Sequence, residues 1–171
     1  AVHGHRLGLD LRGQAHQPAP IMTKRTTRLA VRALILLEDQ LLLVNAYPGG
    51  KSDLWCAPGG GVEPGASLHD NLAREVMEET GLSVTVAEPA LVNEFHDPGS
   101  GIHQVDVFFR CTITGGDITA GWRDPEGVVT KRTFFSRSDL DQGRIRFKPD
   151  SLAKAAWGTG CHYDPLEVLM T

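Results

Sequence analysis

The chain is poor in cysteine, and the three it has, Cys56, Cys111 and Cys161, are widely spaced, odd in number and free of any C-x-x-C pair. That pattern excludes a disulfide framework and a cysteine-based zinc site, and it suits a reducing, cytoplasmic setting. Long apolar runs are missing as well. The longest, Ala33 to Leu37, falls far short of the roughly 20 residues that a membrane span requires, and the N-terminus lacks the apolar stretch of a secretory signal. There is no excess of positive charge either: the formal net charge is −4, so neither nucleic acid nor an anionic membrane is an expected partner. No segment recurs at a fixed period, which sets aside solenoids and propellers.

What is present is an ordinary globular composition of 171 residues, 41% hydrophobic and 22% charged, enough for one domain around one core. Residues 1–27 are rich in Gly, Pro, Gln and His with little periodicity, and read as an N-terminal tail, flexible in expectation, before a single domain over 28–171. His3 and His5 in that tail are too few for a metal site. From Arg28 onward two apolar runs flank Glu38-Asp39-Gln40, the pattern of two strands joined by a tight turn. Leu82 to Val86, Leu91 to Phe95, Val105 to Thr114 and Val128 to Phe135 read as further strands, parted by loops at His96 to Gly101 and Asp124 to Gly127. Ser136 to Leu140 reads as a short helix, and Pro149 to Trp157 as a last one with Pro and Asp in its first turn. Strands outnumber helices without strict alternation, which predicts an α+β fold or a mixed α/β/α sandwich.

Gly50-Lys51-Ser52 invites comparison with a phosphate-binding P-loop, but the earlier glycine that motif needs is Asn45 here and no helix follows. Lys51 is therefore an ordinary loop lysine unless a phosphate happens to face it. The informative stretch is Pro58 to Leu82. Ser67 and Asp70 resemble a capping box, Leu68, Leu72, Ala73 and Val76 recur at helical spacing, and Gly81 is a natural αL terminator. These predict a helix over Leu68 to Thr80. Within it Glu75, Glu78 and Glu79 stand at i, i+3 and i+4, so three carboxylates share one side of about one turn. They also lie toward the end where the macrodipole disfavours negative charge, by about 0.3–1 kcal/mol each. Clustered glutamates are usually a solvated face, but a glycine-rich loop, Pro58-Gly59-Gly60-Gly61, is expected just before the helix, where it lets main chain approach a ligand closely. A divalent cation would reverse both unfavourable terms.

Gly60, Arg74, Glu75, Val76, Glu78, Glu79, Gly81 and Leu82 together resemble the Nudix box, G-x5-E-x7-R-E-u-x-E-E-x-G-u with u aliphatic. One position departs: Ala66 stands where the pattern has its first glutamate. The resemblance covers about Leu29 to Leu140 and implies the Nudix fold, a mixed sheet between helices. It also implies a metal-dependent hydrolase that uses Mg²⁺ or Mn²⁺ to cleave the diphosphate linkage of a nucleoside diphosphate derivative, either ADP-ribose-like or a nucleoside triphosphate. On this reading Glu75, Glu78 and Glu79 bind metal and serve catalysis, with a backbone carbonyl near Gly59 or Gly60 as a further ligand. Gly81 and Arg74 are structural, Arg74 orienting the glutamates; with Ala66 unable to pair with it, Asp70 or Glu63 is the expected substitute. Glu126 is the candidate base from a later loop, ahead of Glu94 and Asp97. Trp55 is expected to pack in the core, and Pro98 stands where ADP-ribose pyrophosphatases often have a proline. The implied partner is a small-molecule nucleotide, with a homodimer left open. The alternative that Ala66 raises is a non-catalytic, nucleotide-binding module.

Overall fold

The computed structural model describes residues 27–118 and 121–169; most of the expected tail, His3 and His5 included, lies outside them. Its elements run β1 (Thr27–Leu37), β2 (Gln40–Asn45), β3 (Leu54–Cys56), β4 (Gly59–Gly61), α1 (Leu68–Thr80), β5 (Leu82–Asp97), β6 (Ile102–Gly116), β7 (Arg132–Ser136), α2 (Arg137–Asp141), β8 (Arg146–Phe147), α3 (Leu152–Trp157), β9 (His162–Tyr163) and β10 (Glu167–Val168). The sheet is mixed, and β1 is its hinge point. One edge of β1 runs parallel to β6 from Thr27 to Ile35. The other edge is divided: Ala30 to Arg32 pair antiparallel with β4, and only Leu36 and Leu37 pair with β2. Beyond β6 lies β5, flanked by β9 and β10; β2 carries β3 and β7, and β3 carries β8.

Successive side chains of a strand point to opposite faces, and β1 and β2 use both. Val31, Ala33, Ile35 and Leu42 join Leu72 and Val76 of α1 in one apolar layer. Leu34, Leu41 and Leu43 join Leu91, Phe108, Leu140 of α2 and Leu152, Ala155 and Ala156 of α3 in the other. The result is the three-layer α/β/α sandwich, helices on both faces of the sheet. Ile35, Leu72 and Val76 are fully buried, each contributing about 1.5–3 kcal/mol through lost apolar exposure.

Several expectations about the elements are corrected. The last helix begins only at Leu152, with Ser151 at its N-cap position, so Pro149 and Asp150 precede it rather than form its first turn. The two strands expected across Leu82 to Phe95 are one, β5, kinked by register shifts around Pro89, where a residue without an N–H is tolerated. Gly59–Gly61 is not a loop but a strand held by β1. Val128 to Lys131 is not strand: its backbone is bonded instead by the Asn45 side chain and by Asp124, so β7 begins only at Arg132. The turn expected over His96 to Gly101 shortens to the hairpin tip after Asp97, whose carboxylate accepts from Gly99 N–H at 2.9 Å.

Candidate active site

Helix α1 spans the predicted residues, with Ser67 as N-cap accepting from the Asp70 N–H at 3.0 Å. The Asp70 carboxylate takes the Ser67 hydroxyl at 2.7 Å, so it is occupied at the cap. Gly81 ends the helix at φ 78°. A Cβ on Gly81 would press into the Trp122 ring, so backbone and packing both call for glycine there. Two side chains satisfy carbonyls of the last turn: Trp122 Nε1 donates to Glu78 O at 2.9 Å, and Arg132 to Glu79 O at 3.2 Å. Neither was recognisable in the sequence, because each reaches α1 across about fifty intervening residues.

The apolar stripe of α1 lies on the sheet, which turns its acidic stripe against β4. Glu79 Oε2 accepts the Gly59 N–H at 2.8 Å. The Glu75 carboxylate lies over Gly60, where any Cβ would overlap it. At Gly59 the backbone has φ 141° and the Val31 carbonyl fills the place of a Cβ. The glycines are thus required by a strand squeezed between β1 and two carboxylates. Of the two expected carbonyl donors, Gly59 has its oxygen bonded by Arg32 at 2.8 Å, and Gly60 stands opposite Val31 in the β1–β4 ladder.

Arg74 bridges Glu75 Oε1 and Glu78 Oε2, both at 2.8 Å, and approaches Glu63 Oε1 at 3.5 Å. Of the two substitutes expected for the missing pattern glutamate, Glu63 therefore makes the contact and Asp70 makes none. Ala66 itself is exposed. Burial, above all, pushes the Glu79 carboxyl up to about 7, with Glu75 and Asp124 adding to the rise against the Gly59 N–H and Arg32. The Glu75 carboxyl is also raised, first by burial and then by Glu78 and Glu126, with Arg74 opposing.

Glu126 comes to the same cavity from a loop with its own supports. Asp124, only 8% exposed, accepts from the N–H groups of Glu126, Val128 and Val129 at 3.0, 2.9 and 2.8 Å. Asn45 at the end of β2 accepts from Thr130 and Lys131 N–H at 2.8 Å and donates to the carbonyls of Tyr47 and Val128. Asp-Pro-Glu-Gly was legible as a turn, and an aspartate opening a turn commonly bonds the backbone after it; the role of Asn45 left no local signal.

Glu75, Glu78, Glu79, Glu126, Asp124 and Arg74 line a polar cavity of about 420 Å³, floored by Gly59, Gly60 and Gly61. Arg28, Arg32, Ala46 and Cys56 are shared between it and a second hollow of about 310 Å³. The far hollow contains a chain of paired polar groups: Arg28 donates to Gln104 Oε1 at 2.9 Å, Gln104 to Asp106, and Arg32 to Asp106 at 3.1 Å. Cys56 sits between the two with its thiol pKa raised by burial.

The remaining sequence candidates stand elsewhere. Glu94 is engaged by Tyr163 and lies 3.4 Å from His103, Asp97 is held in the hairpin turn, and Lys51 and Pro98 are exposed and line neither cavity. Trp55 packs edge-on against Phe135, ring centroids 5.0 Å apart, in the expected core role.

Among the described residues no three His, Cys, Asp or Glu side chains already stand as a finished metal cage; Arg74 lies on two of the glutamates and Gly59 on the third. The donor set nonetheless fits a hard cation. It consists of carboxylate oxygens and a backbone strand facing one polar cavity, the chemistry Mg²⁺ and Mn²⁺ prefer, and the burial and like charge that raise Glu75 and Glu79 are what a bound cation would offset.

The family model for the NUDIX domain matches residues 26–155. The chain belongs to the NUDIX family. Among curated relatives, this NUDIX chain is 29% identical over 123 residues to a putative nudix hydrolase 1 of Caenorhabditis elegans, covering 69% of the chain and 32% of the relative. It is 30% identical over 99 residues to a putative ADP-ribose pyrophosphatase, YjhB, of Bacillus subtilis (strain 168), covering 56% and 46%. To a diphosphoinositol polyphosphate phosphohydrolase 3-beta of Bos taurus it is 32% identical over 104 residues, covering 60% and 58%. The chain thus spans between about a third and three-fifths of the length of these relatives. Among solved structures, a UDP-X diphosphatase aligns at TM-score 0.63 and 22% identity over 81% of this chain and 68% of its own. An ADP-ribose pyrophosphatase from Streptococcus suis 89-1591 aligns at TM-score 0.60 and 25% identity over 81% and 100%. The mixed sheet between helices expected from the sequence is the fold these neighbours share.

Proposed function

We propose that this NUDIX domain is a metal-dependent hydrolase that cleaves the diphosphate linkage of a nucleoside diphosphate derivative, with Glu75, Glu78 and Glu79 holding Mg²⁺ or Mn²⁺ and Glu126 taking the proton from the attacking water. One observation carries the reading: five carboxylates from α1 and from the 124–131 loop face a single polar cavity, at a cost to folding that burial and like charge make plain for Glu79. A divalent cation bound there would neutralise a diphosphate and orient water. The chain's own groups do the rest. Arg74 sets the rotamers of Glu75 and Glu78 through its two 2.8 Å contacts, Gly59 N–H fixes Glu79, and Asp124 holds the loop that brings Glu126 across the cavity.

Two relatives bear names pointing to different substrates, ADP-ribose and diphosphoinositol polyphosphates. The far hollow favours the first. A ring crowded with phosphates needs several unpaired cations, whereas here Arg32 is bound to Asp106, and Lys148 to Glu167 and Asp150. Among the described residues no helix is long and apolar enough to cross a membrane; action on a small nucleotide in the cytoplasm, alone or as a homodimer, belongs to the same proposal. The test is release of nucleoside monophosphate from a panel of ADP-ribose, nucleotide sugars and nucleoside triphosphates with Mg²⁺ or Mn²⁺. Folded protein inactive on every member would sink it.

A second reading, a nucleotide-binding module without turnover, draws on Ala66 and on the way Arg74 occupies two of the three helix glutamates. Calorimetric binding of a nucleotide with no product released would favour it.

A further inference from the structure

We propose that the second hollow is a nucleobase site in which the Asn93 carboxamide reads the edge of adenine, a step that rests on the nucleotide reading above. Asn93 lies on β5 opposite Asp106 of β6, and the two, with Gln104, line the hollow. Gln104 and Asp106 are spent on each other and on Arg28 and Arg32. Asn93 is different: it is only 7% exposed, it lines the hollow, and its side chain makes no hydrogen bond to another described residue, which leaves the carboxamide to what enters the hollow. A carboxamide offers two donors and an acceptor, and one that faces a hollow with none of them used inside the protein can give all three to what binds there.

The partner's chemistry follows from the pattern. Asparagine pairs bidentately with an adenine edge, donating to a ring nitrogen and accepting from the exocyclic amine. A guanine major-groove edge presents two acceptors and calls for Arg or Lys, but Arg28, Arg32 and Lys148 of the hollow are already bonded to Gln104, Asp106 and Glu167. Tyr47 and Phe95 are the aromatic residues of the lining, and on an aromatic ring a purine stacks over a larger area than a pyrimidine. The hollow also has a wall of this chain's own. Glu167 of β10 and Leu169 just after it line the hollow; β10 runs parallel to β5 at Phe95 and His96, beyond the family-matched residues 26–155.

The test is calorimetric binding of AMP, GMP, UMP and CMP to the full chain without added metal, beside hydrolysis of ADP-ribose with Mg²⁺. AMP is expected to bind about tenfold or more tightly than the other three. Asn93→Leu, and Asn93→Ser should the first fail to fold, are expected to erase that preference, while Glu79→Gln keeps it. Affinities of the wild-type protein within about threefold of one another, or a preference surviving in a folded Asn93 variant, overturn the inference. The paired assays also separate it from the hydrolase reading: AMP preference without turnover sinks the hydrolase and leaves the base site, and turnover without base preference does the reverse.

Discussion

At the acidic end of the cleft, Glu75, Glu78 and Glu79 come from little more than one turn of α1 and meet the glycine strand that directly precedes that helix in the chain. The far end gathers Tyr47, Asn93, Gln104, Lys148 and Glu167 from three different strands and two connecting segments. Its shape depends on the pairing of β5, β6 and β10 rather than on any one stretch. The difference teaches how such a domain divides its labour. A short contiguous motif holds the groups that must keep fixed distances for chemistry, while selectivity is left to a surface assembled from distant parts, where substitutions change what binds without touching what reacts. If that division holds, damage to the acidic end lowers turnover at unchanged base preference.

The strongest test is Glu79→Gln, which removes charge and keeps shape. Turnover should fall by about a thousandfold or more, with binding of a nucleoside monophosphate unchanged and the melting temperature held, since burial already disfavours the Glu79 charge. A melting temperature that collapsed with activity would make Glu79 a structural residue instead and erase the contrast between the two ends.

Asp124→Ala should come next. It strips three backbone N–H groups of their acceptor, at a cost of about 2–4 kcal/mol in stability if water replaces the bonds only in part. The loop would release Glu126, and turnover should fall by about 10- to 100-fold, the usual loss when the support of a site residue goes. A variant that loses stability yet keeps full kcat would remove Glu126 from the chemistry.

How far each end could be read from the chain follows the same contrast. The helix was legible because its signals are local: the Ser67 cap, the spacing of Leu72 and Val76, the Gly81 stop and three glutamates one turn apart. Gly59–Gly61 was misread as a loop because glycine has no intrinsic preference for a strand; what makes it one is confinement between β1 and the α1 carboxylates. Val128 to Lys131 erred the other way. It has the composition of a strand, but the side chains of Asn45 and Asp124 take its backbone bonds, and no local pattern announces a residue eighty positions away. Asn93 was invisible for a related reason: its face depends on the shifted register of β5 around Pro89, and a shift of one residue would turn it to the opposite side, while the Arg32–Asp106 pair depends on the parallel alignment of β1 with β6, strands about seventy residues apart in the chain.

A smaller effect is expected from pH. The folded-state pKa of Glu79 stands at about 7, above the roughly 4.3 of a free glutamate. The raised value means that the folded protein binds a proton the unfolded chain has released. Its stabilising contribution is full below the unfolded value and is lost as pH rises through about 7. Without metal, melting temperature should decline between about pH 5 and about pH 8. Adding Mg²⁺ should flatten the decline, because the cation binds the ionised carboxylate of the folded state. An equal decline with and without Mg²⁺ would separate Glu79 from the metal.

The smallest change expected is also the one that bears most closely on the motif's one irregularity. Ala66 is exposed and precedes the Ser67 cap of α1, so Ala66→Glu adds a carboxylate near the positive end of the helix, worth about 0.3–1 kcal/mol by that term alone. Its larger consequence runs through Arg74. That guanidinium now has Glu75 and Glu78 at 2.8 Å and Glu63 only at 3.5 Å, so the contact that substitutes for the missing glutamate is long and solvent-exposed, and such contacts are weak. A second loop carboxylate would draw Arg74 toward the loop and leave Glu75 and Glu78 freer to meet a cation. Metal affinity should rise by about two- to fivefold, read as the Mg²⁺ concentration that half-saturates turnover and as the metal-dependent gain in melting temperature. Unchanged values in both would mean that Glu63 already does all that a glutamate at 66 would do. A fall in metal affinity would mean that Arg74 orients the cluster only where it now lies, and that Ala66 preserves that position.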